Sequence, residues 1–498
     1  MYAHESVHGV SGMANATERT ILFLIADTGA GHRSAANAIR NAITLISQQE
    51  QEEWHARQQN GNGDEAVSEP APVTYRIEIV DVFEEYSRFP LREAVKLYGP
   101  AIRYNPKAYG RFFHFSNEER NVLAVQTMAT PLIHNGLMRL FTSVRPDIIV
   151  SIHPMLNHVT IHALRDLSIH VPFLTIVTDL VSVHYSWFAP GADGYIVPTE
   201  QAKQIYLARG LDEKRVHILG MPIDPKFTRP MESKQELQKK LGLQPGLPVV
   251  LLAGGGDGAG GLQDAVRAIS RARLSVQLLI VTGRNKRLYA YLQRIRSSLH
   301  VSAKVFGFVY NMPELMRAAD VIVTKAGPGT ICEALACELP IILSGYVPGQ
   351  EEGNVDFVLN NDVGLLAHDS IELVDGLRKL VKPGSATMRR QVANAKRLSR
   401  PYASFDIAHC ILSYLPDVSE PSIWRSGQIL KRRRLMTNTL RTSRTRLRAF
   451  QRKLPQMRRM TFLKSPVVGR LTRLRTRGRG LPGRFRRLRS GNQDRPLF

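Results

Sequence analysis

Apolar residues along this chain fall in short unbroken runs, each followed by a helix-like or polar stretch, rather than alternating with polar ones. The first run, "TILFLIA" at 20–26, reads as a strand buried on both faces. The spacing predicts a helix over 33–48 and, with "YRIEIV", a second strand over 75–80. The polar, low-complexity stretch between them, 47–72, reads as a loop. Four more β-rich runs follow at 146–153, 172–178, 194–199 and 215–220. Strands alternating with helices predict a parallel sheet covered on both faces.

After the proline-marked stretch "GMPIDPKFTRPMES" (220–233) the rhythm restarts with "LPVVLLAGGG", "SVQLLIVTG", "AKVFGF", "ADVIVTKAG" and "LPIILSG". The expected architecture is therefore α/β, with two consecutive Rossmann-like, doubly wound units and a cleft where the carboxyl ends of both strand sets meet. The segments divide as a disordered N-terminus over 1–19, a first unit over 20–228, a second over 229–416 and a tail over 417–498. A chain of 498 residues is long enough for two or three domains.

Charge changes the picture at one end only. The net charge of +24 would suggest a nucleic-acid binder, but residues 425–498 hold 24 of the 67 Lys+Arg and one of the 43 acids. The rest of the chain is close to neutral, so the basicity belongs to the tail and not to the fold. No run of 18 apolar residues occurs, and the N-terminus lacks the basic and apolar blocks of a signal peptide, which reads as a cytosolic protein. The three cysteines, Cys332, Cys337 and Cys410, form no CxxC pair, and no His/Cys/carboxylate cluster has ligand spacing. No structural metal is expected.

Candidate chemistry starts with "DTGAGHRSAANAI". A strand running into Gly29, Gly31 and His32 and then a helix puts bare backbone and an imidazole at the carboxyl edge of a sheet. That place suits a reacting hydroxyl or a phosphate; the alternative is a plain turn with an incidental histidine. Asp27 either orients the ring or caps the turn. In "VTKAGPGTICEALACELPIILSGYVPGQEEGN" (323–354) the strand leads into Gly327, Gly329 and Thr330, whose helix N–H groups can face a diphosphate. Glu333, one turn along, is placed to accept both hydroxyls of a ribose, or is an ordinary acid favoured by the helix dipole. Gln350, Glu351 and Asn354 offer the donors and acceptors that sugar hydroxyls need. "LLAGGGDGAGG" (251–261) adds a glycine turn with Gly254 and Gly255, and "GFVYNMPELM" (307–316) a backbone able to hold a planar base edge at Phe308 and Val309.

Together "DTGAGHRSAA", "TIVTDLVSVHYSWF", "LGMPIDPKF", "LLAGGGDG", "VTGRNKRL", "GFVYNMPELM", "TKAGPGTICEAL" and "LPIILSGYVPGQEEGNV" resemble the monogalactosyldiacylglycerol synthases, in order, over roughly residues 20 to 400. The resemblance implies an inverting GT-B glycosyltransferase, with the UDP-sugar on the second unit and the diacylglycerol acceptor on the first. It makes His32 the base, with Asp27 beside it. It gives the ribose to Glu333 and the sugar to Gln350 and Glu351. It extends donor binding over Gly254, Gly255, Arg284, Phe308, Val309, Gly327, Gly329, Thr330, Gly349 and Asn354, and acceptor binding over Gly29, Gly31 and Trp187.

No cofactor is implied beyond the UDP-sugar co-substrate, and no obligatory metal. Galactose is the expected hexose, with UDP-glucose- or UDP-N-acetylglucosamine-dependent transfer to another lipid as the second enzyme reading. The stretch 82–115 interleaves aromatic and basic residues; it suits either a lipid interface or two amphipathic helices packed on the sheet. Trp187 has the same two readings. Because the acceptor is a lipid, the basic tail reads as a tether to an anionic membrane, giving a cytoplasmic protein held peripherally at the membrane. Nucleic-acid binding through the tail is the alternative of another class.

Overall fold

The computed structural model describes residues 17–27, 29–60, 70–254, 261–417 and Trp424. Among the described residues, twelve strands build two sheets. The first holds β1 (Glu18–Ile25), β2 (Thr74–Asp81), β3 (Ile148–Ser151), β4 (Phe173–Ile176), β5 (Gly194–Val197) and β6 (Val216–Ile218). Every pairing is parallel and the order is β2-β1-β3-β4-β5-β6. Ile21 of β1 sits opposite Ile77 on one side and Ile148 on the other, so β1 is flanked twice and its seven residues from Arg19 are buried.

The second sheet holds β7 (Val249–Ala253), β8 (Gln277–Val281), β9 (Ser302–Phe306), β10 (Val321–Thr324), β11 (Ile341–Leu343) and β12 (Gly364–Leu366), ordered β12-β11-β10-β7-β8-β9 and again wholly parallel. In each sheet the chain starts in the middle, builds one side, then crosses to build the other. Crevices therefore open where the order reverses, beyond the carboxyl ends of β1 and β3 and of β7 and β10. The glycine turns after β1 and β10 lie at these two places, and Gly254 follows β7 at the second.

Three elements depart from the sequence expectation. The first helix runs over Ala30–Asn60, well past residue 48 and into the stretch read as a loop. Ala35, Ala36, Ile39, Ala42, Ile43 and Ile46 fill its buried side, and nothing beyond Ile46 is buried. Its last turns persist on the helix propensity of Gln, Glu, Ala and Arg and on pairs such as Gln49 with Glu53, which leave no hydrophobic period to read. Strand β12, three residues on a sheet edge, is too short to stand out.

The third departure concerns the domain division. The helix Ala403–Ser413 packs on the helix Ala30–Asn60, and Ile407, Ala408 and Ile411 join Ile21, Phe23 and Ile39 in one core. The chain thus returns to the first sheet, and the span 229–416 does not belong wholly to the second unit. Strand β1 also begins within the segment 1–19; residues 1–16 of that segment, and almost all of the basic tail, lie outside the described residues.

Candidate active site

Asp27 through His32 leave the end of β1, and the backbone N–H of Asp27 donates to Asp81 at the end of the neighbouring strand β2 (2.9 Å). A Cβ added at Gly29 or Gly31 would meet no atom within 4 Å, so the bare backbone faces open space. Gly29 takes φ +142°, a conformation closed to most side chains. His32 lies in the first turn of the following helix. Its ring is hydrogen-bonded to the Ile152 carbonyl, and Nδ1 lies 3.4 Å from Thr178 Oγ1. Burial drives its pKa from the usual 6.5 to about 4, against smaller raising effects of Ile152 and Asp27, so the imidazole is neutral and can accept a proton at pH 7.

Asp27 does not touch that ring. Both its carboxylate oxygens accept from Arg33 Nε, at 2.9 and 2.7 Å, and it is largely exposed, so it acts on His32 through its charge alone. Of the ring's neighbours, Thr178 and His153 were not singled out from the sequence. His153, at the end of β3, stacks edge-on at 4.9 Å, and its Nδ1 accepts from the Met155 N–H (3.3 Å) as the N-cap of the helix Pro154–Leu167. Burial first, and His32 second, hold it neutral. Trp187 is buried, its ring 6.5 Å from that of His32. It is an interior wall of the site and not a ring at a membrane interface. Its indole N–H donates to Asp179 at 2.6 Å, and burial raises that carboxyl to about 6 despite this bond, with Glu351 adding to the rise.

On the second sheet, β10 delivers the helix Pro328–Ala336, whose N-cap Gly327 contributes no side-chain cap. The first-turn N–H groups of such a helix have no partner within it. A Cβ at Gly329 would again meet nothing within 4 Å, and Lys325 Nζ would lie 3.2 Å from one at Gly327. Thr330 is half-buried in that first turn. Glu333, one turn on, is pushed up to about 8, chiefly by burial and then by Asp224. Gly254 follows β7; Gly255 lies outside the described residues. Arg284 follows β8 and holds its guanidinium 5.5 Å from the ring of Phe308, which follows β9 and is half-exposed beside Tyr310 (5.2 Å). Val309 packs into the core instead, leaving its backbone for any base contact.

The loop after β11 divides its polar residues between two duties. Glu351 is buried: Oε1 accepts from Lys325 Nζ (2.5 Å) and Oε2 from the Val347 N–H (2.9 Å). Asn354 is buried as well; its amide donates to the Ala326 carbonyl (3.0 Å) and accepts from the Leu180 N–H (3.4 Å). Asn354 is thus a tie between the two halves, its amide engaged by backbone on both sides. Gln350 is more accessible, and Gly349 before it has φ +79°.

These residues come from halves that touch. The helix Ala30–Asn60, which carries His32, contacts the helix Pro328–Ala336, which carries the amide end. Leu180 reaches Asn354, and the charge of Glu351 bears on Asp179. Two Rossmann-like units of six parallel strands, each with its glycine turns at a strand-order reversal and facing the other, define the GT-B class. A UDP-GlcNAc 2-epimerase from Neisseria meningitidis bound to UDP-GlcNAc has this fold (TM-score 0.50, 13% identity, 80% of this chain and 100% of that one).

A family model described as monogalactosyldiacylglycerol (MGDG) synthase matches residues 32–223, and one described as the glycosyltransferase family 28 C-terminal domain matches 249–400. A probable monogalactosyldiacylglycerol synthase 2, chloroplastic, of Oryza sativa subsp. japonica is 35% identical over 409 residues, covering 80% of this chain and 81% of that one. Monogalactosyldiacylglycerol synthase 3, chloroplastic, of Arabidopsis thaliana is 34% identical over 416 residues, covering 81% and 83%. The chain belongs to the monogalactosyldiacylglycerol synthase family.

Proposed function

We infer that this chain is a UDP-sugar-dependent hexosyltransferase that glycosylates diacylglycerol to make a glycolipid, with galactose as the sugar. The observation that carries the mechanism is the neutral imidazole of His32 on a helix that contacts the helix Pro328–Ala336, which carries the amide end. His32 takes the proton of the acceptor hydroxyl as that oxygen attacks the anomeric carbon from the face opposite the diphosphate, inverting it. The bond to UDP breaks in the same step, and its growing negative charge is met by the helix amides at 327–330, with Lys325 beside them. Glu333 holds the ribose, and Arg284 with Phe308 frames the base. Gln350 contacts the hexose, with Glu351 behind it. The fixed amides and cations serve the leaving group in place of an obligatory metal, so EDTA leaves turnover intact.

Access from a membrane surface fits the helices before the site. Between residues 89 and 128, Phe89, Leu97, Tyr104, Phe112, Phe115 and Met128 are exposed, interleaved with Arg92, Lys96 and Arg111. The helix Leu91–Lys96 buries none of its residues, whereas the short helix Val82–Tyr86 before it buries Val82 and Phe83. Exposed rings and basic groups of this kind suit the headgroup level of an anionic bilayer. Among the described residues no helix is long and apolar enough to cross a membrane. In this reading the basic tail is a second membrane tether, and the enzyme is held peripherally on the cytoplasmic side of the membrane.

The test is incubation with diacylglycerol and each of UDP-galactose, UDP-glucose and UDP-N-acetylglucosamine, followed by analysis of the lipid products. A monogalactosyl lipid is expected; a product only with another donor would reassign the sugar, and no glycolipid with any donor would contradict the reading. Sedimentation with anionic vesicles, with and without residues 421–498, tests the tether: removing them should weaken vesicle binding and spare turnover of detergent-dispersed diacylglycerol.

A further inference from the structure

Glu351 looks from the sequence like a ligand for the sugar, but its surroundings give the carboxylate other work. Val347 holds it twice: its N–H donates to Glu351 Oε2 at 2.9 Å, and its carbonyl accepts from the Glu351 N–H at 2.9 Å. The loop before Glu351 is seated against the helix Pro106–Ser116, where a Cβ at Gly349 would lie 2.9 to 3.0 Å from the Phe113 side chain. The carboxylate is thus fixed, and its Oε1 accepts from Lys325 Nζ at 2.5 Å. Lys325 leaves β10 in a turn that is fixed as well. The Asn354 amide donates to the Ala326 carbonyl (3.0 Å), and the Ala326 N–H donates to the Gly345 carbonyl (2.9 Å). From there the ammonium reaches to 3.2 Å from where a Cβ at Gly327 would stand, beside the N-cap of the helix Pro328–Ala336. The Glu351 side chain is 7% exposed and that of Lys325 33%. The pair therefore opens outward through its cation, at the helix end whose amides have no partner within the helix.

We propose that Glu351 is a positioning residue for Lys325 and not a ligand of the sugar, and that the ammonium it holds binds the diphosphate that leaves. An ammonium has three N–H donors, so one bond to Glu351 does not exhaust it. A carboxylate behind a phosphate-binding lysine fixes a flexible four-carbon stem in place, as the Glu–Lys pair of protein kinases does beside the α- and β-phosphates. A lysine not held in this way must be ordered when the nucleotide binds, which weakens binding by about 2- to 10-fold. Charge grows on the diphosphate as the anomeric bond breaks, so a fixed cation serves the transition state as well as the bound donor. The proposal rests on the reading that the diphosphate sits at the amide end of the helix Pro328–Ala336.

The test measures Kd for UDP and UMP by calorimetry, with KM for UDP-galactose and kcat. It compares the full-length enzyme with Glu351→Gln, Lys325→Met, the double variant and Gly329→Ala. Glu351→Gln should weaken UDP and UDP-galactose alike, by about 2- to 10-fold, and leave UMP, which lacks the phosphate joined to the sugar, within about twofold. Lys325→Met should weaken UDP by about 10- to 100-fold and lower kcat, and adding Glu351→Gln to it should cost nothing further. If Glu351→Gln weakens UDP-galactose and spares UDP, the carboxylate is a sugar ligand and the proposal falls while the diphosphate reading stands. Tighter UDP binding in Glu351→Gln would mean that the carboxylate only cancels the charge of the ammonium, and equal losses for UMP and UDP that it serves general packing; either overturns the proposal. Gly329→Ala tests the underlying reading, because its Cβ meets no protein atom within 4 Å and should weaken UDP only by intruding on the diphosphate. If it leaves UDP binding unchanged, that reading falls and takes the proposal with it. Where Lys325→Met alone strands the buried carboxylate and does not fold, comparing the double variant with Glu351→Gln still measures what the lysine contributes.

Discussion

Burial keeps His32 uncharged, and this governs its behaviour with pH. Its folded value, about 4, lies below the ordinary 6.5, so the base form persists until the pH falls toward 4. An acid limb of kcat set by this group should therefore fall near 4 and not near 6.5, measured by initial rates in buffers of constant ionic strength. Between 6.5 and about 4 the unfolded chain gains a proton there that the folded one does not, so this group also makes the fold less stable as pH falls through that window. Glu333 has the opposite sign. Its folded value, about 8, exceeds the ordinary 4.5, so the folded state keeps the proton longer and stability declines as pH rises between the two. Glu333→Gln should accordingly raise the thermal midpoint at pH 8 more than at pH 5, while weakening UDP binding by about 10- to 100-fold through loss of the ribose contact. Calorimetry at the two pH values and UDP titration check both halves of this expectation; a midpoint shift independent of pH would contradict it.

At the scale of elements, the strands were readable because a parallel sheet covered on both faces needs unbroken apolar runs, and the glycine turns were readable because they follow those runs directly. Gly29, Gly31 and Gly329 lie beside open space as a ligand-approach reading requires. What the sequence hid were contacts between distant segments. His153 and Asp179 each follow a strand like any other, and only the fold sets them beside His32 and Trp187. Asn354 looked like a sugar ligand by its neighbours, yet its amide joins Leu180 to Ala326. The contact of the helix Pro106–Ser116 with the 348–350 loop is of the same kind. Gly349→Ala should be costly there, because a Cβ would press on Phe113 and the backbone has φ +79°. A loss of about 1–3 kcal/mol is expected from denaturant unfolding, together with weaker UDP-galactose binding; a stability within 0.5 kcal/mol of the parent, roughly the change at a neutral surface position, would mean that the seat is looser than the geometry requires.

At the scale of the whole molecule, the proposed mechanism needs the imidazole of the first unit and the amide end of the second together, and the helices that carry them are in contact. The helix Ala403–Ser413 binds the end of the described chain back onto the first sheet, linking the two units a second time. The most direct measurement is the rate of galactosyl-diacylglycerol formation by the parent and by His32→Ala at saturating UDP-galactose, with the UDP dissociation constant determined on the same preparations. The expected result is a fall in rate of about 10²- to 10⁴-fold with UDP affinity unchanged within about twofold. An undiminished rate in His32→Ala would contradict the account.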